Sequence, residues 1–209
     1  MKLPSSRVLE LVIAVSVVII SVASLFVALY QGRVMEQTMQ ASVMPLIQAS
    51  TSNYDAEKED WVLRLEVRNT GLGPARIDYL RLVEGDQPVE QLSRWVADCC
   101  TPPELPAEER LPYAQSVFAA GELILITETF NGRYLSPQEI AHAYQIDRPD
   151  REAQPRGFAM WQALDSARFD VEIEICYCSV FDQCWRARFR AQEREEVYQC
   201  VVPRRAPAE

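Results

Sequence analysis

The most constraining feature of the sequence is a run of twenty uncharged residues, residues 11–30, which also contains no proline or glycine. As an α-helix, a run of this length spans ~30 Å, the thickness of the hydrocarbon core of a bilayer. A cleaved signal peptide has a shorter apolar core, of about 7–15 residues, and a small-x-small cleavage site. Leu29-Tyr30-Gln31 does not supply such a site. The sequence therefore predicts a transmembrane helix over residues 11–30 that is retained as an anchor, with the lipid bilayer as its partner.

The positive charges beside this helix predict its orientation. Lys2, Arg7 and the free amino group lie on the N-terminal side, whereas the first fifteen residues after the run contain only Arg33. Positive flanks stay in the cytoplasm. We therefore expect residues 1–10 to be cytoplasmic in a bacterial inner-membrane protein, with the rest of the chain in the periplasm.

The helix is expected to continue beyond the membrane as a stalk over residues 31–44, because only Gly32 disfavours a helix before Pro45. Two interpretations of this segment stay open. The stalk is either simply exposed, or it makes helix–helix contacts in a homo-oligomer. Small residues at i, i+4 favour close helix packing in membranes, and a methionine pair repeats that spacing in the stalk. The candidate contact residues are Ser24, Ala28, Met35 and Met39.

Alternating hydrophobicity, which is typical of half-buried β-strands, begins after the stalk. The clearest examples are residues 61–67 and 75–83, separated by the turn Asn69-Thr-Gly-Leu-Gly-Pro74. A third apolar run covers residues 123–127, and residues 197–202 are expected to form a last edge strand. The final residues, 203–209, are predicted to be disordered.

Residues 169–178 and 184–190 predict a hairpin whose register can be derived. Both segments alternate, and their apolar faces must coincide. The same register sets acidic residues against arginines, which is favourable across strands, so we expect a solvated ion-pair ladder on the outer face. The predicted pairs are Tyr177 with Trp185, Ile175 with Ala187, Ile173 with Phe189, Glu174 with Arg188, Glu172 with Arg190, and Cys178 with Cys184.

Two segments interrupt the strands and are predicted to be insertions. Residues 86–120 are rich in proline and are expected to be largely loop, with a short helix from Pro88 to about Val96. In residues 131–168, the capping box Ser136-Pro-Gln-Glu139 predicts a helix to Tyr144, and a second helix is expected from Gly157 through Leu164.

These elements predict a mainly β fold, in which an N-terminal transmembrane helix and a helical stalk precede an immunoglobulin-like β-sandwich over residues 45–202 with short helical insertions. The layout resembles a set of uncharacterised bacterial single-pass membrane proteins. The residues that carry the resemblance are Gln40-Ala-Ser-Val-Met-Pro45, Val67-Arg-Asn-Thr-Gly-Leu-Gly-Pro-Ala75 and Cys178-Ser-Val-Phe-Asp-Gln-Cys-Trp185. The resemblance implies an extracytoplasmic β-sandwich on a membrane anchor, and it implies no activity.

The cysteines are the main chemical signal, and all of them follow the predicted anchor. An even number in an oxidising compartment predicts disulfides. The hairpin register favours Cys178–Cys184, and Cys176 is left to pair with Cys200 or with Cys99 or Cys100. The alternative is a thiol or soft-metal site that uses Cys176, Cys178 and Cys184, with the adjacent pair as further thiolates.

The remaining composition excludes some classes of function. A net charge of −9, from 21 basic and 30 acidic residues, is untypical of nucleic-acid binding. The single histidine, His142, falls on the predicted helix over residues 137–144, and no G-x-S-x-G motif marks a nucleophile. We therefore expect no catalysis and no cofactor.

The sequence is best interpreted as a membrane-anchored interaction or structural module, an accessory subunit of a bacterial inner-membrane complex with a protein partner or a second copy bound to it. Long proline-rich loops held by cysteines lose little entropy on binding. The candidate contact residues are therefore Thr101, Pro102, Pro103, Leu105 and Pro106. The alternative is a periplasmic thiol- or metal-handling protein.

Overall fold

The computed structural model describes residues 6–85, 87–89 and 91–201. The chain divides into two compact units, with the boundary between Ser42 and Val43. The predictions for residues 1–5, for Val202 and for the tail 203–209 lie outside the described residues.

The first unit is one long apolar helix, α1, which covers Ser6–Ser42 in 37 residues. It is long and apolar enough to cross a membrane, and none of its most apolar window is buried. Ser16, Ser21 and Thr38 each donate their hydroxyl to the carbonyl four residues earlier, so these polar groups are satisfied within the helix. The helix thus contains the predicted span and most of the predicted stalk, and it ends two residues before the expected boundary.

In the described part of the second unit there are ten strands and three helices. The strands are β1 (Ile47–Asp55), β2 (Asp60–Asn69), β3 (Ala75–Glu84), β4 (Gln87–Pro88), β5 (Ile126–Thr127), β6 (Arg133–Leu135), β7 (Ile140–Asp147), β8 (Val171–Cys178), β9 (Cys184–Arg188) and β10 (Glu193–Val197). The helices are α2 (Leu92–Cys100), α3 (Ala107–Ala119) and α4 (Pro155–Ala167).

The strands form two antiparallel sheets. The first sheet has the order β1-β2-β7-β5, and the second has the order β10-β9-β8-β3-β4, with β6 also paired to β3. Helix accounts for about 37% of the described residues and strand for about 32%, so the expectation of a mainly β fold is not confirmed. The immunoglobulin-like arrangement stays a prediction.

One hydrophobic core of the second unit joins both sheets and helices α2, α3 and α4. Leu63 and Val67 of the first sheet and Ile175 and Tyr177 of the second are fully buried in it, as is Val117 of α3. Trp61 is the first of the alternating apolar residues of segment 61–67, which are expected to share the buried face, yet it is 40% exposed. It lies at the start of β2, where its ring instead meets Tyr54 edge-on and Arg148 packs over it.

The β8–β9 hairpin has the predicted register. Tyr177 lies opposite Trp185, Ile175 opposite Ala187, Glu174 opposite Arg188 and Cys178 opposite Cys184. The pairing ends at Arg188, although the backbone N–H of Phe189 still donates to the carbonyl of Ile173 at 3.2 Å. The predicted pair of Glu172 with Arg190 does not form, because the Glu172 carboxylate accepts the backbone N–H of Ala191.

The predicted helix over residues 137–144 is wrong, because β7 occupies Ile140–Asp147 and pairs with both β2 and β5. The carboxylate of Glu139 does accept the Ser136 N–H at 2.8 Å, as a capping box requires. However, Gln138 has a φ of +63°, which a right-handed helix cannot accommodate. The motif therefore closes a turn, and residues 131–168 supply an internal strand of the first sheet. Helix α4 lies where the second helix was predicted.

The proline-rich segment 86–120 is mostly helical, which corrects the prediction of a loop. Helix α2 begins four residues after the proposed start, and α3 contains Pro112 in its interior. Strand β1 has no equivalent in the prediction, because its sequence IQASTSNYD is mainly polar and does not alternate. The third predicted strand is reduced to the two residues of β5, and the last strand, β10, ends at Val197 where it was expected to begin.

Asn69 at the end of β2 connects several segments of this unit through its fully buried side chain. Its Oδ1 accepts the N–H groups of Leu46 and Gly71, at 3.2 and 3.0 Å. Its Nδ2 donates to the carbonyls of Gly73 and Leu135, at 2.8 and 3.1 Å. Every hydrogen-bonding position of the amide is therefore used. The entry segment, the turn after β2 and strand β6 all depend on this one side chain.

We expect Asn69→Ala to lower the free energy of unfolding by about 3 kcal/mol, because it leaves three buried backbone groups and the part-buried N–H of Leu46 without their partner. Urea unfolding of the full chain in detergent micelles, followed by tryptophan fluorescence, measures the change. The matched control is Asn131→Ala at an exposed turn, with an expected change within about 0.5 kcal/mol. Equal midpoints for the two variants would show that the Asn69 contacts contribute nothing.

Candidate functional site

The chemically richest surface is one face of the second sheet, where β3, β8 and β9 lie side by side. Residues directly opposite each other in an antiparallel pair point to the same face. Tyr79 is opposite Cys176 and Arg81 opposite Glu174, whereas Cys176 is also opposite Arg186. We call this surface, defined by Tyr79, Arg81, Glu174, Cys176, Cys178, Cys184, Arg186 and Arg188, the polar face.

Glu174 is the central residue of the polar face, and none of its side chain is exposed. One carboxylate oxygen accepts the Tyr79 hydroxyl at 2.9 Å and contacts an Arg81 nitrogen at 2.8 Å. The other accepts the Arg188 Nε–H at 3.0 Å. The expectation of a solvated ion-pair ladder is therefore wrong at this position. The strand β3, which the hairpin register did not include, supplies Tyr79 and Arg81 and helps to enclose the carboxylate.

Burial and charge act in opposite directions on Glu174. Burial alone would raise the pKa of the carboxyl, but the hydrogen bond from Tyr79 and the charges of Arg81 and Arg188 outweigh it and hold the pKa below its ordinary value. Burial, together with the hydrogen bond to Glu174, raises the pKa of Tyr79 to about 12. At neutral pH the cluster therefore contains one carboxylate, one neutral phenol and two guanidinium groups.

Three disulfides account for all six cysteines. Cys178–Cys184 joins the paired ends of β8 and β9, with the Cα atoms 4.0 Å apart. Cys176–Cys200 joins β8 to the segment after β10, with the Cα atoms 5.6 Å apart. Because β9 lies between β8 and β10, the chain must turn back across β9 to form this bond. The adjacent Cys99 and Cys100 are bonded to each other at the end of α2.

Two of these disulfides lie against each other. The sulfurs of Cys178 and Cys200 are 3.8 Å apart, although they belong to different bonds. The sulfurs of Cys178, Cys184 and Cys200 all lie within 4.8 Å of one another. We call Cys176, Cys178, Cys184 and Cys200 the sulfur cluster. The sequence interpretation chose three of these residues as alternative metal ligands, and Cys200 joins them through its bond to Cys176.

The loop between α2 and α3 contains the candidate partner-binding residues. Thr101 is buried and its hydroxyl donates to the carbonyl of Ala97 at 2.8 Å. Pro102 and Leu105 are half-buried, whereas Pro103 and Pro106 are exposed. The loop therefore presents only part of the predicted contact set to a partner.

Arg110 holds this loop in one conformation. Its Nε–H donates to the carbonyl of Leu105 at 3.2 Å, and Nη1 donates to the carbonyl of Asp98 at 3.3 Å. Within the loop, the N–H of Leu105 donates to the carbonyl of Pro102. These bonds and the disulfide before the loop restrict its backbone on both sides.

His142 lies on β7 and is half-buried. Its Nε2 is 3.6 Å from a Glu66 oxygen, and its Nδ1 is 3.8 Å from a Glu128 oxygen. Glu128 also pairs with Arg133. The imidazole therefore lies between two carboxylates, each of which also faces an arginine or a backbone N–H. On α1, Ser24, Ala28, Met35 and Met39 are all exposed, as a helix–helix contact surface requires.

Comparison with known proteins gives no relative of this chain: no family model matches, no curated protein matches and no solved structure matches. The resemblance to bacterial single-pass membrane proteins therefore stays a prediction, and the functional argument rests on the geometry above.

We expect Glu174→Gln to destabilise the protein at pH 7 by about 1.5–3 kcal/mol, because it removes hydrogen bonds to a charged group. A depressed pKa in the folded state stabilises the protein above the unfolded value and is lost as the pH falls through the folded value. The difference from the unmutated chain should therefore shrink as the pH falls below the ordinary value of 4.5.

Urea unfolding at a series of pH values tests this expectation. Glu196→Gln, at an exposed position of β10, is the matched control and should leave the curve unchanged. A difference between Glu174→Gln and the unmutated chain that stays constant from pH 7 to pH 3 would contradict the assignment of an ionised carboxylate.

Proposed function

We propose that this protein is a non-catalytic, membrane-anchored interaction module. In this proposal α1 remains in a bacterial inner membrane with its N-terminus in the cytoplasm, and the unit from Val43 onward is periplasmic. The observation that carries the proposal is the joining of a fully exposed apolar helix to a compact unit that holds all six cysteines in disulfides. Water does not support such a helix, and the bacterial cytoplasm does not maintain such disulfides.

The folded unit is proposed to be an immunoglobulin-like sandwich. Its two antiparallel sheets contribute to one continuous core, which supports a packing of sheet on sheet. Helices α2, α3 and α4 extend that core with buried residues such as Trp95 and Met160. Sandwiches of this kind bind partners through loops at their ends. The loop between α2 and α3 is therefore the candidate for partner binding.

The proposed contact surface is the exposed part of that loop, around Pro103 and Pro106. A loop whose conformation is fixed before binding loses less entropy when it meets a partner. The disulfide at Cys99 and Cys100 and the hydrogen bonds from Arg110 supply this preorganisation. The partner is proposed to be another subunit of a membrane complex or a second copy of the chain. In a second copy, Ser24, Ala28, Met35 and Met39 would add helix–helix contacts.

The topology is tested on spheroplasts with a membrane-impermeant maleimide-PEG reagent. We expect no gel shift without reduction and a shift after treatment with an impermeant reductant, while the 23.8-kDa chain stays in the membrane fraction after carbonate extraction. Half-buried Cys99 and Cys200 should react first. Labelling that requires lysis but no reductant would place the unit in the cytoplasm, and a shortened chain in the soluble fraction would identify a cleaved signal sequence.

The contact surface is tested by placing a benzophenone amino acid at Glu104, which is exposed within the loop. We expect illumination of intact cells to give one discrete adduct, and a differently tagged second copy distinguishes a homo-oligomer from another subunit. Arg110→Ala should lower the adduct yield several-fold, because the loop is no longer held in place. The same probe at exposed Glu152 is the matched control. Equal yields at the two positions would argue against the loop.

A further inference from the structure

We propose that the sulfur cluster becomes a four-thiolate Zn²⁺ site when its two disulfides are reduced. The ligands are Cys176, Cys178, Cys184 and Cys200, three from the paired strands β8 and β9 and one from the segment after β10. This inference is independent of the interaction module, because it concerns a different surface of the folded unit.

The spacing of the sulfurs supports a tetrahedral site. Zinc binds thiolates at ~2.3 Å in a tetrahedron, so its sulfur ligands lie ~3.8 Å from one another. The sulfurs of Cys178 and Cys200 are already 3.8 Å apart. The wider set of Cys178, Cys184 and Cys200 lies within 4.8 Å. Cys176 is outside this set and joins it through its bond to Cys200. Once the two bonds are broken, side-chain rotation must separate the bonded sulfurs to the zinc spacing and bring the Cys176 sulfur toward those of Cys178 and Cys184.

Two arginines beside the cluster offer positive charge to such a site, and both also pair with carboxylates: Arg76 with Asp78 and Asp182, and Arg186 with Glu195. Four thiolates around Zn²⁺ carry a net charge of −2. Arg76 on β3 is opposite Cys178, and Arg186 on β9 is opposite Cys176. The strands on both sides of β8 therefore each place one arginine beside the cluster. The Asp78 carboxylate, 3.4 Å from the Cys178 sulfur, would repel a thiolate, but Arg76 pairs with it at 2.9 Å. These arginines would act on the metal through its sulfur ligands.

The reaction balances with a dithiol as the reductant. Each of two dithiol molecules transfers two electrons and two protons to one protein disulfide, forms its own disulfide and leaves two protein thiols. Zn²⁺ then displaces the four thiol protons into solvent and undergoes no redox change. Cys200 is half-buried, whereas Cys176, Cys178 and Cys184 are buried, so a dithiol meets the Cys176–Cys200 bond first, at Cys200. The oxidised cluster binds no metal, so the site is open only in the reduced protein.

The test uses the full chain in detergent micelles with Cys99→Ala and Cys100→Ala, which removes the thiols outside the cluster. The protein is reduced with a dithiol, freed of it by anaerobic gel filtration and titrated with Co²⁺. We expect the visible bands of tetrahedral cobalt thiolate at one Co²⁺ per chain, their loss on adding one equivalent of Zn²⁺, and no bands from the oxidised protein.

Cys178→Ser should abolish the bands, and Arg186→Ala should weaken Co²⁺ binding roughly ten-fold. Val180→Ala, at an exposed position of the turn between Cys178 and Cys184, is the matched control and should keep both bands and affinity.

Three results would overturn the proposal. The first is an absence of cobalt bands in reduced protein that retains its near-ultraviolet circular dichroism. The second is a set of bands that persists in Cys178→Ser. The third is a loss of the near-ultraviolet spectrum on reduction, which would show that the sulfurs are held together only by their bonds and that any bound metal belongs to an unfolded chain.

Discussion

The hydrogen bonds of the Asn69 amide are the constraint on which much of the folded unit depends. Asn69 ends β2 in the first sheet, and its Nδ2 reaches Leu135 of β6, which pairs with β3 in the second sheet. The turn that follows is equally restricted, because a Cβ on Gly73 would lie 1.7 Å from the Val43 carbonyl oxygen. The segment from Val43 to Leu46, which enters the unit, is therefore held in place by the Asn69 amide and by the close approach that Gly73 allows.

The sequence was most informative where two independent patterns required the same arrangement. In the β8–β9 hairpin, apolar alternation and charge pairing both demand one register, and a slip by one residue would violate both. At β7 a single pattern, the capping box, supports the predicted helix. One contact of the predicted capping box forms, because the Glu139 carboxylate accepts the Ser136 N–H, while the Glu139 N–H donates to the Ser136 carbonyl. These contacts also fit a turn, and the positive φ of Gln138 requires the turn. Pairing with β2 then makes the following residues a strand, which local sequence did not indicate.

The polar face shows why half of the candidate site escaped prediction. Ile77 and Leu80 both face the core, opposite Tyr177 and Ile175, because a register shift at Asp78 inserts one residue into β3. The shift turns Tyr79 and Arg81 to the polar face, where they meet Glu174. The spacing of three between Ile77 and Leu80 was the available signal of a bulge. The Cys178–Cys184 bond follows from the hairpin register. The partner of Cys176 could not be chosen from the sequence, since its bond to Cys200 depends on where β10 lies in the sheet.

The β10 edge of the second sheet is protected from pairing with strands of other chains. Strand β10 is an edge strand of sequence EREEV, and charged edges resist pairing. Arg194 on its other side lies over the Trp185 ring, 4.8 Å from the centroid, and closes that end of the core. The bond from Cys176 to Cys200 then draws the chain back over β9. Since charge and a covalent bond close this edge, the proposed partner contact falls instead on the loop between α2 and α3, where Pro103 and Pro106 are exposed beside the carboxylate of Glu104.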